Sequence, residues 1–200
     1  MYKRQSLDRL LEENTESMDL RPYIDPMRRI KSANEIEYMK EAATIASSAH
    51  QKAMRNSRSG MGEWQIQSEV EGHFLSSRSQ WSFPSIVGGG DNATVLHYKN
   101  NDQVIKSGDL VLVDAGCEVN GYASDITRTW PVNGKFTEPQ REIYELVLRS
   151  ELAGIEACRP GVPWFSMHEA VCETIAEGLI ELGVLMCTFC LLYTSDAADE

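Results

Sequence analysis

The sequence lacks any apolar run of the ~18 residues that a membrane-spanning helix needs. Its first 17 residues, MYKRQSLDRLLEENTES, lack the apolar core and small-residue cleavage site of a secretory signal. Basic residues are also few, with 19 Lys and Arg against 30 Asp and Glu and a formal net charge of −11. Since nucleic-acid binding needs a basic surface, we expect neither a nucleic acid nor a membrane as partner.

Cysteines are few and scattered, and their number is odd. We predict reduced thiols in a reducing compartment rather than a disulfide framework. The five are Cys117, Cys158, Cys172, Cys187 and Cys190. The last two have a spacing used in metal and redox sites. However, they lie in MCTFCLLYTSDAADE, residues 186–200, which continues no helical period and resembles translated adapter sequence. We therefore predict a non-native tail and no metal site there.

Two helices are predicted in the first half of the chain. Ser32 is followed three residues later by Glu35, the spacing of a capping box, so a helix should run from Ala33 to about Met54. A second helix should cover about residues 63–76. RPYIDPMRRIKS, residues 21–32, contains two prolines and is predicted to be an extended connector.

The middle of the chain has the patterns of strands. WSFPSIVGGG predicts a short strand leading into a glycine loop, and SGDLVLVDAG predicts a longer strand. Asn120-Gly121 is a strong signal for a two-residue hairpin turn, so YASDITRTW should return antiparallel. Helices follow over about residues 139–158, with a capping-box spacing at Thr137, and over about 165–185. The pattern indicates an α+β fold.

Two aspartates lie in this hairpin, although Asp is depleted in strands. With Asn120-Gly121 as the turn, paired positions have numbers that sum to 241, so Asp114 faces Thr127 and Asp125 faces Gly116. The two acids then share a face as diagonal neighbours, ~7–8 Å apart at the backbone. Both faces of the hairpin are predicted to be buried.

Three arrangements would make two converging acids tolerable: protonation of one, a basic partner or a metal ion. Arg128, the basic residue of the hairpin, should point to the opposite face. Carboxylates that bridge two divalent metals ~3.5–4 Å apart recur in hydrolases. Alternatively, one Asp caps the turn and the other accepts backbone hydrogen bonds. The spacing alone leaves these alternatives open.

These residues resemble a known family. NATVLHY, SGDLVLVDAGCEVNGYASDITRTWPVNGKF, RRIKSANEIEYMKEAATIASSAH and FPSIVGGG are similar to the pita-bread metallopeptidases, and most like Xaa-Pro aminopeptidases, including the mitochondrial Xaa-Pro aminopeptidase 3 type. The resemblance implies the first half of a pita-bread (creatinase/methionine aminopeptidase-like) fold, an antiparallel sheet with covering helices, over residues 21–185. Residues 1–20 would be a remnant of an N-terminal domain or a linker.

The resemblance also implies roles for three residues. Asp114 and Asp125 correspond to two of the five ligands of a site for two divalent metal ions, commonly Mn²⁺. His97 corresponds to a catalytic histidine that hydrogen-bonds the substrate and stabilises the transition state. The remaining histidines are expected to be structural or partly exposed helix residues: His50, His73 and His168.

The function implied is removal of the N-terminal residue from peptides with proline second. The other ligands, one His and two Glu, match nothing in this chain, so we expect a C-terminally truncated and inactive fragment of an enzyme that is mitochondrial or cytoplasmic and can form homo-oligomers. The alternatives are a prolidase or methionine aminopeptidase of the same fold, and a non-catalytic pita-bread module that binds peptides or proteins.

Overall fold

The computed structural model describes residues 18–186. Residues 1–17 and 187–200 lie outside the described residues, and with them most of the predicted N-terminal remnant and of the predicted tail, including Cys187 and Cys190. Within the described part, no helix is long and apolar enough to cross a membrane.

The described residues contain five α-helices, and both predicted capping boxes are confirmed. The helices are α1 (Arg21–Arg29), α2 (Ala33–Asn56), α3 (Glu63–Ser76), α4 (Glu138–Ala157) and α5 (Phe165–Glu181). At the start of α2, Oγ of Ser32 accepts a hydrogen bond from the Glu35 N–H at 3.4 Å, and Oε2 of Glu35 accepts one from the Ser32 N–H at 2.6 Å. Thr137 and Gln140 cap α4 in the same way. These reciprocal bonds satisfy backbone donors that a helix start leaves unpaired.

Helix α1 contradicts the prediction of an extended connector over residues 21–32. Pro22 lies in the first turn, where a missing N–H costs nothing. Oδ1 of Asp19 accepts a hydrogen bond from the Arg21 N–H at 3.0 Å, which satisfies another of the first donors. Pro26 lies inside the helix and removes one intrahelical bond. The two prolines therefore limit this helix without preventing it.

Between residues 18 and 186, six strands form two three-stranded sheets. The strands are β1 (Gln80–Trp81), β2 (Ile86–Gly89), β3 (Leu110–Ala115), β4 (Cys117–Val119), β5 (Tyr122–Ala123) and β6 (Ile126–Pro131). The sheet orders are β1-β4-β5 and β2-β3-β6. Asn120 and Gly121 form the predicted turn, with φ of 50° and 85°. The antiparallel pairs Glu118–Ala123 and Val119–Tyr122 keep the predicted register.

The hairpin is not one uninterrupted ladder, because its arms take part in both sheets. The break lies at Gly116 on one arm and at Ser124 and Asp125 on the other. A Cβ on Gly116 would lie 1.7 Å from the carbonyl oxygen of Ser124, so this close backbone approach requires glycine. The Gly116 carbonyl accepts a hydrogen bond from the Ser82 N–H at 2.9 Å, next to strand β1.

The described chain divides into two compact units. The first contains residues 18–57, 61–104 and 112–129, and the second contains 58–60, 105–111 and 130–186. In the first unit, an alanine face of α2 and an apolar face of α3 are buried. The small alanine side chains let neighbouring segments pack close to the backbone of α2. The buried residues are Ala42, Ala46, Ala49, Ala53, Ile66, Val70 and Phe74. His50 is also buried and bonds the Ala46 carbonyl, in keeping with a structural role.

In the second unit, α4 packs on α5 through small residues. A Cβ on Gly178 would lie 2.1 Å from Cδ1 of Leu146, and one on Gly154 would lie 2.7 Å from Cγ2 of Val171. A side chain at either glycine would therefore displace Leu146 or Val171. Several large apolar side chains of α4 are exposed: Ile143, Val147, Leu152 and Ile155.

Candidate active site

One open cavity of about 280 Å³ in the first unit collects all three residues that the sequence predicted for the site. It is lined by Phe83, Pro84, Ile86, His97, Lys99, Asp114 and Asp125. The aspartates come from the two arms of the hairpin, and His97 comes from the loop that follows a 3₁₀ helix at Gly90–Thr94. The structure thus brings together residues that are up to 28 positions apart in the sequence.

Asp114 is half-buried near the end of β3, and its carboxylate is poorly satisfied. Its Oδ1 is fully buried and has no hydrogen-bond partner within residues 18–186. An unpaired buried oxygen of this kind costs ~1–3 kcal/mol, and more when it is charged. For this oxygen, the alternative in which backbone N–H groups satisfy the acid is therefore not met.

Asp125 lies beside Asp114 in the cavity, and its pKa is raised above the ordinary value. Partial burial raises the pKa of Asp125, and the charge of Asp114 and a hydrogen bond between the two carboxyl groups raise this pKa further. The two acids are therefore close enough to disfavour simultaneous ionisation. A shared proton or a cation between them would relieve the repulsion.

The prediction that both faces of the hairpin are buried is wrong for the face that carries the acids. Asp125 and Thr127 are exposed there, whereas Val111 and Val113 on the other face are completely buried. Strand composition rich in apolar and β-branched residues gave no way to tell a covered face from an open one. The open face lets solvent and small molecules reach the carboxylates.

Lys99 lines the same cavity as the two aspartates, and the sequence analysis did not find it. The base that the hairpin itself offers is Arg128, which donates a hydrogen bond to the Thr127 carbonyl at 2.7 Å. Lys99 lies instead on the His97 loop, two residues after the histidine. The available signal in the sequence was that Lys99 lies two residues after the candidate catalytic His97, in VLHYK.

His97 has a backbone conformation that is unusual for a residue with a side chain. Its φ is 54°, in the left-handed region, which costs a non-glycine residue ~1–3 kcal/mol. Such a conformation persists only when the surrounding structure holds it. The side chain is exposed, so its own packing does not supply the restraint.

Buried Glu63, which the sequence analysis also missed, holds this loop through four hydrogen bonds. Its Oε1 accepts from the Gly89 N–H at 2.8 Å and from Nδ2 of Asn92 at 2.9 Å. Its Oε2 accepts from the Tyr98 hydroxyl at 2.8 Å and from the Gln103 N–H at 3.0 Å. Burial, followed by the hydrogen bond to Glu63, raises the pKa of Tyr98 to about 12. A glutamate at a helix start is ordinary in sequence, so nothing local distinguished it.

The donor set fits part of a metal site. Within residues 18–186, no three or more His, Cys, Asp or Glu side chains come together as metal ligands. Asp114 and Asp125 offer carboxylate oxygens, which suit divalent cations such as Mn²⁺. His168 is not among the residues that line the cavity; it lies on α5, where its Nε2 is 3.5 Å from Sγ of Cys172.

Comparison with known proteins gives a consistent result. The sequence model of metallopeptidase family M24 matches residues 37–191. Xaa-Pro aminopeptidase of Haemophilus influenzae is 46% identical over 172 residues, which cover 86% of this chain and 40% of the relative. Mouse Xaa-Pro aminopeptidase 3 is 38% identical over 80% of this chain and 32% of the relative.

A solved structure has the same fold. Aminopeptidase PepP of Pseudomonas aeruginosa superposes with a TM-score of 0.87 at 39% identity, over 96% of this chain and 44% of that chain. The predicted α+β pita-bread architecture is thereby confirmed. The chain spans between 32% and 44% of the length of these proteins.

Proposed function

The chain belongs to metallopeptidase family M24, and from this premise we propose that it forms part of a metal-dependent Xaa-Pro aminopeptidase, which removes the N-terminal residue from peptides with proline second. One observation carries the proposal: His97, Asp114 and Asp125 converge on a single cavity of the chain. The names of the relatives support this substrate class.

Two divalent ions, Mn²⁺ in this proposal, would be held in part by Asp114 and Asp125. The unpartnered Oδ1 of Asp114 and the raised pKa of Asp125 support a cation there. When bound, the ions would supply an activated water and polarise the scissile carbonyl. Two carboxylates bind metal weakly, so the site requires the further His and two Glu ligands that the resemblance implies.

The other residues of the cavity have roles that follow from their chemistry. A neutral His97 can donate a hydrogen bond to the oxygen on which negative charge develops. Phe83, Pro84 and Ile86 give the cavity an apolar wall. Such a wall suits a proline ring, whose nitrogen has no hydrogen to donate.

The test uses a longer protein that contains this chain together with the rest of the family fold. With added Mn²⁺ it should release the first residue from a Xaa-Pro peptide faster than from the matching Xaa-Ala peptide. Asp114→Asn should abolish this activity, because an amide is a poor metal ligand. Asp91→Asn, the same change at an exposed site of the 3₁₀ helix, should leave it intact. Full activity in Asp114→Asn would refute the metal-ligand role.

The longer protein is proposed to be mitochondrial or cytoplasmic and able to form homo-oligomers.

A further inference from the structure

Glu63 is the first residue of α3 and is completely buried, which is rare for a glutamate. Burying a charge is costly unless it is hydrogen-bonded. All four of its partners are donors, two to each oxygen, and they match the lone-pair sites of an ionised carboxylate. The site is therefore built for this one side chain.

The four partners enclose the loop that carries His97. Gly89 and Asn92 precede the histidine, Tyr98 follows it directly, and Gln103 ends the loop. A second buried residue, Asn101, stabilises the same segment. Its own backbone lies in the left-handed region, with a φ of 49°. It accepts from the Val87 N–H at 2.9 Å and donates to the Ser85 carbonyl at 2.8 Å.

A role limited to α3 itself does not account for these contacts. An acid in the first turn usually interacts with the backbone donors of its own helix. Gln65 does this here, since its Oε1 accepts from the Gly62 N–H at 2.8 Å. The four side-chain hydrogen bonds of Glu63 instead go to groups 26 to 40 residues along the chain.

We infer that Glu63 is a positioning residue for His97: its buried carboxylate fixes loop residues 89–103 and thereby holds the left-handed backbone that directs His97 to the cavity of Asp114 and Asp125. The inference deepens the proposed function and rests on it for the role of His97. The structural part, the restraint on the loop, stands independently.

The first experiment uses the 200-residue chain and the variant Glu63→Gln, which keeps the shape of the side chain. One amide NH₂ must then face a donor, so at least one of the bonds is lost. Gly89 and Gln103 donate to different oxygens of Glu63, so we expect amide hydrogen exchange to accelerate by about tenfold or more at whichever of the two faces the new NH₂, the factor expected for a lost hydrogen bond to a buried charged group. The NMR signals of His97 should broaden or shift. Glu37→Gln, the same change at an exposed residue paired with Lys40, should alter neither.

If Glu63→Gln does not fold, Tyr98→Phe is the alternative variant. It removes one of the four hydrogen bonds and leaves the Glu63 carboxylate in place. We expect a smaller acceleration of exchange at the same two amides and a smaller change at His97. Unchanged exchange and unchanged His97 signals in a folded variant would overturn the inference.

The second experiment measures kinetics in the longer protein. Glu63→Gln should lower kcat about tenfold or more with little change in KM, because a displaced His97 loses stabilisation of the transition state rather than of the bound substrate. Equal kcat values for the variant and the wild type would overturn the positioning role. If the wild-type longer protein cleaves no Xaa-Pro peptide, the proposed function fails, and the exchange experiment still decides the restraint on the loop.

Discussion

The hydroxyl of Tyr122 donates a hydrogen bond to Oε1 of Glu35, across 87 residues of sequence. Glu35 is the acid of the capping box that begins α2, and Tyr122 follows the turn of the aspartate hairpin. One carboxylate therefore completes a helix cap and binds the tip of the hairpin. Tyr38 of α2 stacks on Tyr122, with ring centroids 6.3 Å apart, at the same junction.

Removing the Tyr122 hydroxyl should change the titration of Glu35. The hydrogen bond from Tyr122, followed by those from Ser32, lowers the pKa of Glu35 to about 2 from an ordinary value of 4.5. In Tyr122→Phe we expect this pKa to rise toward 4.5, measured from the carboxyl carbon signal by NMR. Tyr23→Phe, at an exposed residue of α1, is the control and should leave it at about 2. An unchanged value in Tyr122→Phe would contradict the assignment.

The same pair predicts how stability depends on pH. A carboxyl group whose pKa is lower in the folded state stabilises the fold fully above its unfolded pKa of 4.5. That contribution is lost as the pH falls toward the folded value of about 2. Urea unfolding should therefore show wild type more stable than Tyr122→Phe at pH 7, with the difference shrinking between pH 4.5 and pH 2. A difference that grows at low pH would show that another group is responsible.

Gly116→Ala should destabilise the chain strongly. Its Cβ would overlap the Ser124 carbonyl oxygen at 1.7 Å, and backbone on both arms would have to move. Overpacking of this kind costs ~1–3 kcal/mol or more. At Gly72, inside α3, a Cβ enters open space among the described residues, so Gly72→Ala should stabilise by ~0.5–1 kcal/mol through helix propensity. Urea unfolding measures the free energy of unfolding of both variants. Equal changes in Gly116→Ala and Gly72→Ala would contradict the close approach of Gly116 to Ser124.

The 200-residue chain should bind Mn²⁺ weakly and should release no residue from a Xaa-Pro peptide. Two carboxylates give too few ligands for tight binding, whereas repulsion between Asp114 and Asp125 still favours a cation. Manganese paramagnetic broadening should affect the signals of both aspartates and should decrease in Asp114→Asn. Asp91→Asn should leave it unchanged. Peptide cleavage by the purified 200-residue chain would refute the prediction of inactivity.

The exposed apolar side chains of α4 should make the chain associate with itself. Val147, Leu152 and Ile155 are each more than half exposed, and neighbouring apolar residues of this kind form association surfaces. Leu152→Lys should reduce concentration-dependent association in sedimentation experiments with little loss of stability. Arg149→Lys, on the same helix, keeps its charge and is the control. A monomer at all concentrations in the unmodified chain would contradict this prediction.

Local signals in the sequence predicted most elements. Ser32 with Glu35, and Thr137 with Gln140, located two helix starts because capping depends on residues three apart. Asn120-Gly121 gave the turn and its register for a similar reason, since few residue pairs adopt two positive φ values. These features also brought Asp114 and Asp125 to one face.

Features that depend on distant partners were missed. The burial of Glu63 is explained by groups from Gly89 to Gln103, and no pattern around residue 63 indicates them. The switch of the hairpin between two sheets at Gly116 depends on which strands lie beside it. Pro22 and Pro26 argue locally against a helix, although a short exposed helix can lose one intrahelical hydrogen bond.

The separation of these contacts along the chain has a consequence for how the site assembles. Hairpins form in ~1–10 μs, so the turn at Asn120-Gly121 can bring the two aspartates together early in folding. We expect the His97 loop to close later, because the contacts of Glu63 join residues 26 to 40 positions apart, a greater separation than within the hairpin. A cation present during folding would thus meet a pair of carboxylates before the histidine arrives, and could favour folding itself.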